Sequence, residues 1–223
     1  MVETRLRPDG TDRAEARLGA ETRGISGQGV LTRSQMKSQP ALAIWMDPVE
    51  FSQLRAIIET LAPRVCLEWG SGGSTQTLLA ACPFIEQYVS VEHNRDWHDK
   101  VKVQVSDPRL RLFHVAADEP LALAKPSQQQ IEAWDLRAEV EPQVMASYVG
   151  LPRTLGLEFD FVLVDGRARN FCVREGFRLL RSGGILVVHD AQREEYASTL
   201  AELPRSTFLT PWRQGQIWFV RKP

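Results

Sequence analysis

From Asp47 onward the apolar residues recur in two alternating rhythms. The first is helical: Leu54, Ile57, Ile58 and Leu61 fall at i, i+3, i+4 and i+7, one face of a helix. "MDPVEF" opens it. Asp47 suits the N-cap, Pro48 the first helical position and Glu50 the far side of a capping box, with Met46 and Phe51 as a hydrophobic staple. Pro63 closes it. Short apolar runs then alternate with helical patterns. "RVCLEW", "QYVSVE", "RLRLFHVA", "FDFVLVD" and "GILVVHD" read as strands. "STQTLLAAC", the stretch from Asn94 to about Val105, and "NFCVREGFRLLR" read as helices. Strands alternating with helices predict a mostly parallel sheet covered on both faces, and the near-continuous apolar "FVLV" and "ILVV" agree with burial on both sides. The end differs: "STFLT", the turn "PWRQGQ" and "IWFVRK" predict two strands joined by a short connection, hence an antiparallel pair at one edge. The expected fold is α/β, doubly wound, with a mostly parallel seven-stranded sheet and an antiparallel strand near the C-terminus.

Two segments break the alternation. Residues 1–38 carry Gly, Ser, Thr and charge without a sustained apolar period, and read as a disordered tail or as sequence upstream of a start at Met36. Residues 39–223 then form one domain. The stretch from Asp118 to about Glu158 is too long for an ordinary connection. It is expected to carry a helix near Gln143 to Val149 and to lie over the carboxyl edge of the sheet as a lid or substrate wall. A formal net charge of -1 argues against nucleic acid or an anionic membrane as partner. No apolar run approaches the ~18 residues needed to span a bilayer, and "MVETRLRPDG" has no apolar core of a secretory signal. Cys66, Cys82 and Cys172 lack metal-like spacing and sit in apolar segments, which points to reduced thiols in a cytoplasm.

Chemistry enters at "LEWGSGGST", Leu67 to Thr75. Gly70, Gly72 and Gly73 lie between a buried strand and a helix beginning near Ser74. Glycine permits positive φ and removes the Cβ, so a ligand can approach the main chain, and the helix N-terminus adds N–H groups. Glu92 ends the next strand, where an acidic residue meets a ribose in nucleotide-binding folds. Ser74, Thr75 and Gln76 follow Gly73, so the third glycine of a dinucleotide fingerprint is missing, which counts against a nicotinamide-dependent oxidoreductase. Glu68 stands two residues before Gly70. A carboxylate there would repel a diphosphate and favour an ammonium, and S-adenosylmethionine has an amino group, a sulfonium and no phosphate.

At this point the chain resembles the class I S-adenosylmethionine-dependent methyltransferases. "LEWGSGGS" is similar to their first motif, "YVSVEHN" to the second, "FDFVLVDG" to the fourth-strand motif and "LLRSGGILVVHD" to the turn and fifth strand. The likeness runs from about Pro40 to Pro223. It implies a Rossmann-like methyltransferase fold and S-adenosylmethionine as cofactor. Gly70 and Gly72 would lie near the methionyl part, Glu92 on the ribose with His93 beside it, and Asp118 at the adenine.

Asp165 and Asp190 end two adjacent apolar strands, with His189 before the second. Carboxyl ends of such strands face the ligand crevice; the plainer reading makes both acids caps of the following helices. Three roles stay open for Asp165: a general base toward an acceptor hydroxyl, a ligand with Asp190 and His189 to a divalent cation, or a partner of the methionyl ammonium. Metal-dependent catechol-type methyltransferases resemble this pattern, although theirs continue Asp-Asn where this chain has Asp190-Ala191. Arg167 and Arg169 suit an anionic acceptor, because a cation at a helix start opposes the dipole unless an anion is near. A weaker resemblance to plant glucuronoxylan O-methyltransferase-like proteins, with Asp-Gly-Pro at this strand end, implies a carboxylate-bearing small molecule; here Arg167 takes the third place. Trp134, in the long insert, is a candidate to stack on adenine or a sugar ring. The leading reading is methyl transfer to an oxygen or nitrogen of a small acceptor. The competing one is a methyltransferase-like module that binds without catalysing.

Overall fold

The computed structural model describes residues 41–210 and 215–223. The expected tail, residues 1–38, and the start at Met36 lie outside the described residues, as do positions 211–214 of the expected terminal turn.

Helix α1, Pro48–Leu61, begins with the expected capping box: Val49 N donates to Asp47 Oδ1 (2.9 Å) and Asp47 N to Glu50 Oε2 (3.2 Å). It ends where Ala62 turns left-handed ahead of Pro63. There follow β1 (Val65–Trp69), α2 (Gly73–Ala81), β2 (Gln87–Glu92), α3 (Arg95–Gln104) and β3 (Leu110–His114). Asn94 caps α3 by accepting from Trp97 N. After the insert come β4 (Phe159–Val164), α6 (Arg169–Leu179), β5 (Leu180–Val188), the short α7 (Ala197–Ala201), β6 (Ser206–Phe208) and β7 (Trp218–Arg221).

The seven strands lie in the order β3-β2-β1-β4-β5-β7-β6, and β7 is antiparallel to both neighbours. Alternation along the strands separates two cores. Cys66, Tyr88, Phe161, Leu163 and Val187 face α1, α2 and α3 with Leu54, Ile58, Leu78 and Val101. Leu67, Trp69, Val89, Val162, Val164 and Val188 face the other side, with Ala138, Tyr148, Cys172 and Leu200. Burial on both faces explains why these strands read as apolar runs rather than alternating ones.

The insert is more regular than expected. Besides α5 (Ala146–Gly150), flanked by 3-10 turns at Pro142–Met145 and Leu151–Leu155, it contains α4, Gln128–Val140, which the apolar pattern does not announce. A Ser127–Gln130 capping box starts α4. Polar ties fix it. Trp134 Nε1 donates to Glu119 O (2.8 Å), Arg137 pairs with Glu119 and Glu141, and Asn170 N of α6 donates to Glu139 Oε2 (3.0 Å). Glu139 thereby supplies an anion to the first turn of α6, where the helix dipole favours one.

The register sets the site. Trp69 is level with Val91 on one side and Val164 on the other, and Val164 with Val188. The ladder runs one residue further: Gly70 N donates to Val91 O (2.9 Å), Asp165 N to Trp69 O (2.9 Å) and His189 N to Val164 O (3.2 Å). Gly70, Asp165 and His189 therefore stand side by side at the carboxyl edge. The chain crosses from β3 back to β4 there, so the crevice opens between β1 and β4, the switch point of such a sheet.

Candidate functional site

The glycine turn is shaped by contact. Gly70 has φ +97°, and a Cβ there would lie 2.7–2.8 Å from the backbone of Asp165 and Gly166. At Gly73 a Cβ would meet the carbonyls of Leu42 and Ala43 at 2.5–2.7 Å. Gly72 is extended, and its nearest neighbour would be the Trp97 ring at 3.7 Å. Gly70→Ala should therefore cost about 1–3 kcal/mol in strain, while Gly72→Ala loses no more than about 1 kcal/mol as a poorer N-cap. Urea unfolding of the two variants checks this, and equal midpoints would show that the turn yields at Gly70.

Glu92 is 4% exposed and closes the turn from β2. Its Oε2 accepts from Ser71 N (3.2 Å) and its Oε1 from Asn94 N (2.7 Å). A carboxylate offers about four acceptor sites, so two remain for hydroxyls of a ligand. His93 Nδ1 lies 3.1 Å from Glu92 Oε1 but without hydrogen-bond geometry, and that buried nitrogen has no partner. The His93 ring lies 6.3 Å from Trp134 with planes 20° apart, and edge-on to Tyr148 at 5.9 Å. Together they make an aromatic flank beside Glu92.

Several expected site residues have other neighbours. Glu68, expected to face an ammonium, is 0% exposed and accepts from the hydroxyls of Ser74 (2.7 Å), Ser90 (2.9 Å) and Thr75. It lies on the α2 side of β1 and pins the start of α2 to the sheet, and Ser74 is consumed in the same joint. Burial raises the Glu68 carboxyl to about 7; the three hydroxyls pull it down, and Asp165 pushes it up. Asp118 accepts from Ser147 N (2.8 Å) and Ser147 Oγ (2.5 Å), which ties it to the first turn of α5. The anion that offsets Arg167 is internal: its Nε is 3.0 Å from Asp135 Oδ1 of α4. Arg169 is 1% exposed and turned wholly inward.

Asp165, His189 and Asp190 do come together. His189 Nδ1 is 2.8 Å from Asp165 Oδ1, and its Nε2 is 3.7 Å from Asp190 Oδ1. Arg169 Nη2 lies 3.3 Å from the same Asp165 Oδ1. Asp190 has φ 56° and accepts from Arg193 Nη2 (2.8 Å). Glu50 is a member that sequence reasoning assigned only to a cap. It is 3% exposed, its Oε2 is 3.6 Å from His189 Nε2, and its Oε1 has no partner. Its capping position carries no signal of this second contact, which depends on α1 docking at the end of β5. Burial lowers the basicity of His189, yet Asp165, Glu50 and Asp190 more than offset that and hold it at about 9.

Among the described residues no three or more His, Cys, Asp or Glu side chains converge to hold a metal. The cation between Asp165 and Asp190 is Arg169 itself, so the donor set does not fit divalent-ion binding, one of the three roles open to the acidic pair.

Neither protein-family models nor curated protein sequences match the chain. Solved structures do. A methyltransferase-like protein from Silicibacter pomeroyi is 20% identical with a TM-score of 0.52, over 82% of this chain and 90% of that one. An O-methyltransferase from Bacillus cereus in complex with S-adenosylhomocysteine is 16% identical, TM-score 0.51, over 79% and 82%. A 16S rRNA N2 G1207 methyltransferase from T. thermophilus, in complex with S-adenosylmethionine and guanosine, is 18% identical, TM-score 0.51, over 82% of this chain and 46% of that one. Strand order, the antiparallel β7 and the glycine turn between β1 and α2 agree with these likenesses, and the chain has the fold of the class I S-adenosylmethionine-dependent methyltransferases.

Proposed function

We propose that this protein transfers a methyl group from S-adenosylmethionine to an oxygen of a small acceptor. The observation that carries the reading is the free edge of Asp165. Its Oδ1 serves both His189 and Arg169, whereas its Oδ2 has no hydrogen bond among the described residues. The side chain is 17% exposed, level with Gly70 at the crevice.

The crevice fits the cofactor. Glu92 has acceptor capacity left for ribose hydroxyls, and His93 and Trp134 flank the place of the base. When bound, the cofactor supplies an electrophilic methyl group on a sulfonium. The chain's residues do the rest. Glu92 orients the ribose, and the walls of β1 and β4 hold acceptor and methyl in line, which is where most of such a rate enhancement arises. Asp165 Oδ2 takes the proton that the acceptor hydroxyl loses. His189 and Arg169 fix the aim of that carboxylate. A cavity of about 430 Å³ beyond Asp190, lined by Gln192, Arg193, Glu194, Phe208 and Gln216, is the proposed seat of the acceptor. Its charged lining is mixed, since Arg193 is paired with Asp190 and Glu194 stands beside it. The rRNA methyltransferase among the likenesses shows that this fold alone does not choose the acceptor.

Calorimetry with S-adenosylhomocysteine tests the cofactor site. Wild type should bind it and ignore NAD. Glu92→Ala should weaken binding by about 10- to 100-fold, the effect of losing a charged hydrogen-bond acceptor worth ~1.5–3 kcal/mol. Unchanged affinity in a folded Glu92→Ala would remove Glu92 from the site. A screen of hydroxy and uronic acids with radiolabelled S-adenosylmethionine then seeks the acceptor. Tight cofactor binding with no methylated product would favour a module that binds without catalysing.

A further inference from the structure

We propose that Arg169 is the built-in counter-cation of the Asp165–Asp190 pair, occupying the place of a divalent ion and positioning Asp165 for the reaction proposed above. Its guanidinium is gripped from both strand ends. Nε donates to Gly166 O (3.0 Å), Nη2 to Asp165 O (3.1 Å) and Oδ1 (3.3 Å), and Nη1 to His189 O, while Nη1 stands 3.8 Å from Asp190 Oδ2. The Tyr196 ring lies beneath it, 5.7 Å from the guanidinium carbon. Three backbone carbonyls and two carboxylates thus converge on one planar cation that is 2% exposed.

This is more than a helix-start arginine folding back. Asp165 and Asp190 end neighbouring strands, so two negative charges meet at a partly buried edge; His189 bonds Asp165, Arg193 bonds Asp190, and Arg169 is a cation that faces both. A guanidinium does this with a fixed fork of donors and does not exchange with solvent. Two non-glycine residues with positive φ flank it, Ala168 at 53° and Asp190 at 56°. Backbone held in that region persists only when its surroundings over-determine it, and the bonds of Arg169 to Gly166, Asp165 and His189 provide such a clamp. Arg169 acts through Asp165 and is a positioning residue.

Manganese binding followed by electron paramagnetic resonance tests this on the full chain, whether or not methyl transfer is its activity. Wild type should take up no Mn²⁺ at millimolar concentration, and any turnover should resist chelators. Arg169→Ala should gain one Mn²⁺ site, absent again in Arg169→Ala/Asp165→Asn. Added guanidinium ion should compete with Mn²⁺ in Arg169→Ala and restore turnover there, a rescue that a packing role would not permit. An Asp165-dependent Mn²⁺ signal in wild type would overturn the proposal. So would a folded Arg169→Ala with neither metal affinity nor guanidinium rescue. If Arg169→Ala does not fold, Arg169→Gln and Arg169→Gln/Asp165→Asn decide by unfolding in urea. Removing both charges should recover about tenfold or more of the unfolding constant lost by the single changes, and strict additivity would sink the idea. Failure of the protein to bind S-adenosylhomocysteine would defeat the methyl-transfer reading and leave these results standing.

Discussion

Asp165→Asn should unfold at markedly lower urea than wild type and lose most of its alkaline transition. The amide keeps the shape and removes the anion nearest to two buried cations, Arg169 at 3.3 Å and His189 at 2.8 Å. Leaving a buried charge unpaired costs about 3–5 kcal/mol, and the lower end applies because Asp190 and Glu50 remain close. The pH dependence gives a second reading. In wild type the His189 imidazole is raised to about 9. A group raised on folding contributes stability that is full below its unfolded value, about 6.5, and lost as pH climbs through the folded one. Wild type should therefore weaken between pH 6.5 and 9, by up to about 3 kcal/mol. In Asp165→Asn that window contracts toward neutral pH, and the gap between the two proteins narrows above pH 9. Affinity for S-adenosylhomocysteine should survive. A variant as stable as wild type, with the same alkaline limb, would mean that Asp165, His189 and Arg169 do not act as one electrostatic unit.

Glu68→Gln should behave in the opposite way: its stability relative to wild type should improve as pH rises. Burial lifts the Glu68 carboxyl to about 7. Its contribution is full below the ordinary carboxylate value, about 4.3, and lost as pH passes 7, where the native state must hold a charge at 0% exposure. Between pH 5 and pH 8 the balance should shift toward the glutamine variant by up to about 3 kcal/mol. At pH 5 the glutamine should be the less stable form by about 1 kcal/mol, because the hydroxyls of Ser74, Thr75 and Ser90 must rearrange around an amide. Thermal melts across that range measure the crossing, and parallel curves for the two proteins would show that Glu68 does not titrate there.

The strands were legible because buried parallel strands write themselves as apolar runs. "FDFVLVD" and "GILVVHD" needed no partner to be read, although β5 starts earlier, at Leu180, and carries Gly183 at φ +81° within it. Helix α1 was legible from its capping box. Helix α4 was not, because it buries little beyond Ala138 and Glu139 and hides its inward contacts in Trp134 and Asp135; the local signal that existed was Ser127 three residues before Gln130. Within the site, the positions at the strand ends could be placed from the sequence: Gly70, Glu92, Asp165 and His189 stand at the carboxyl edge. What could not be read is where their side chains point. Glu68 turns toward α2 because alternation on β1 puts it on that face and three hydroxyls from α2 and β2 meet it there. Arg169 curls back to bond the backbone of Gly166, Asp165 and His189 where α6 starts from a left-handed Ala168. Both outcomes depend on neighbours set by packing rather than by spacing along the chain.

The ties of α4 bear on any attempt to re-engineer the protein. Segments over the carboxyl edge of such a sheet invite exchange between relatives as a route to new specificity. Here the segment cannot be grafted as an inert cassette. Glu139 reaches across to the first turn of α6, and Asp135 neutralises Arg167 at the mouth of the crevice. A transplant lacking either acid would uncap the helix that presents Arg169 or leave Arg167 without its anion, and disturb the Asp165 end of the crevice from a distance. A chimera that retains acids at positions 135 and 139 keeps the donor's wall and the host's chemistry together.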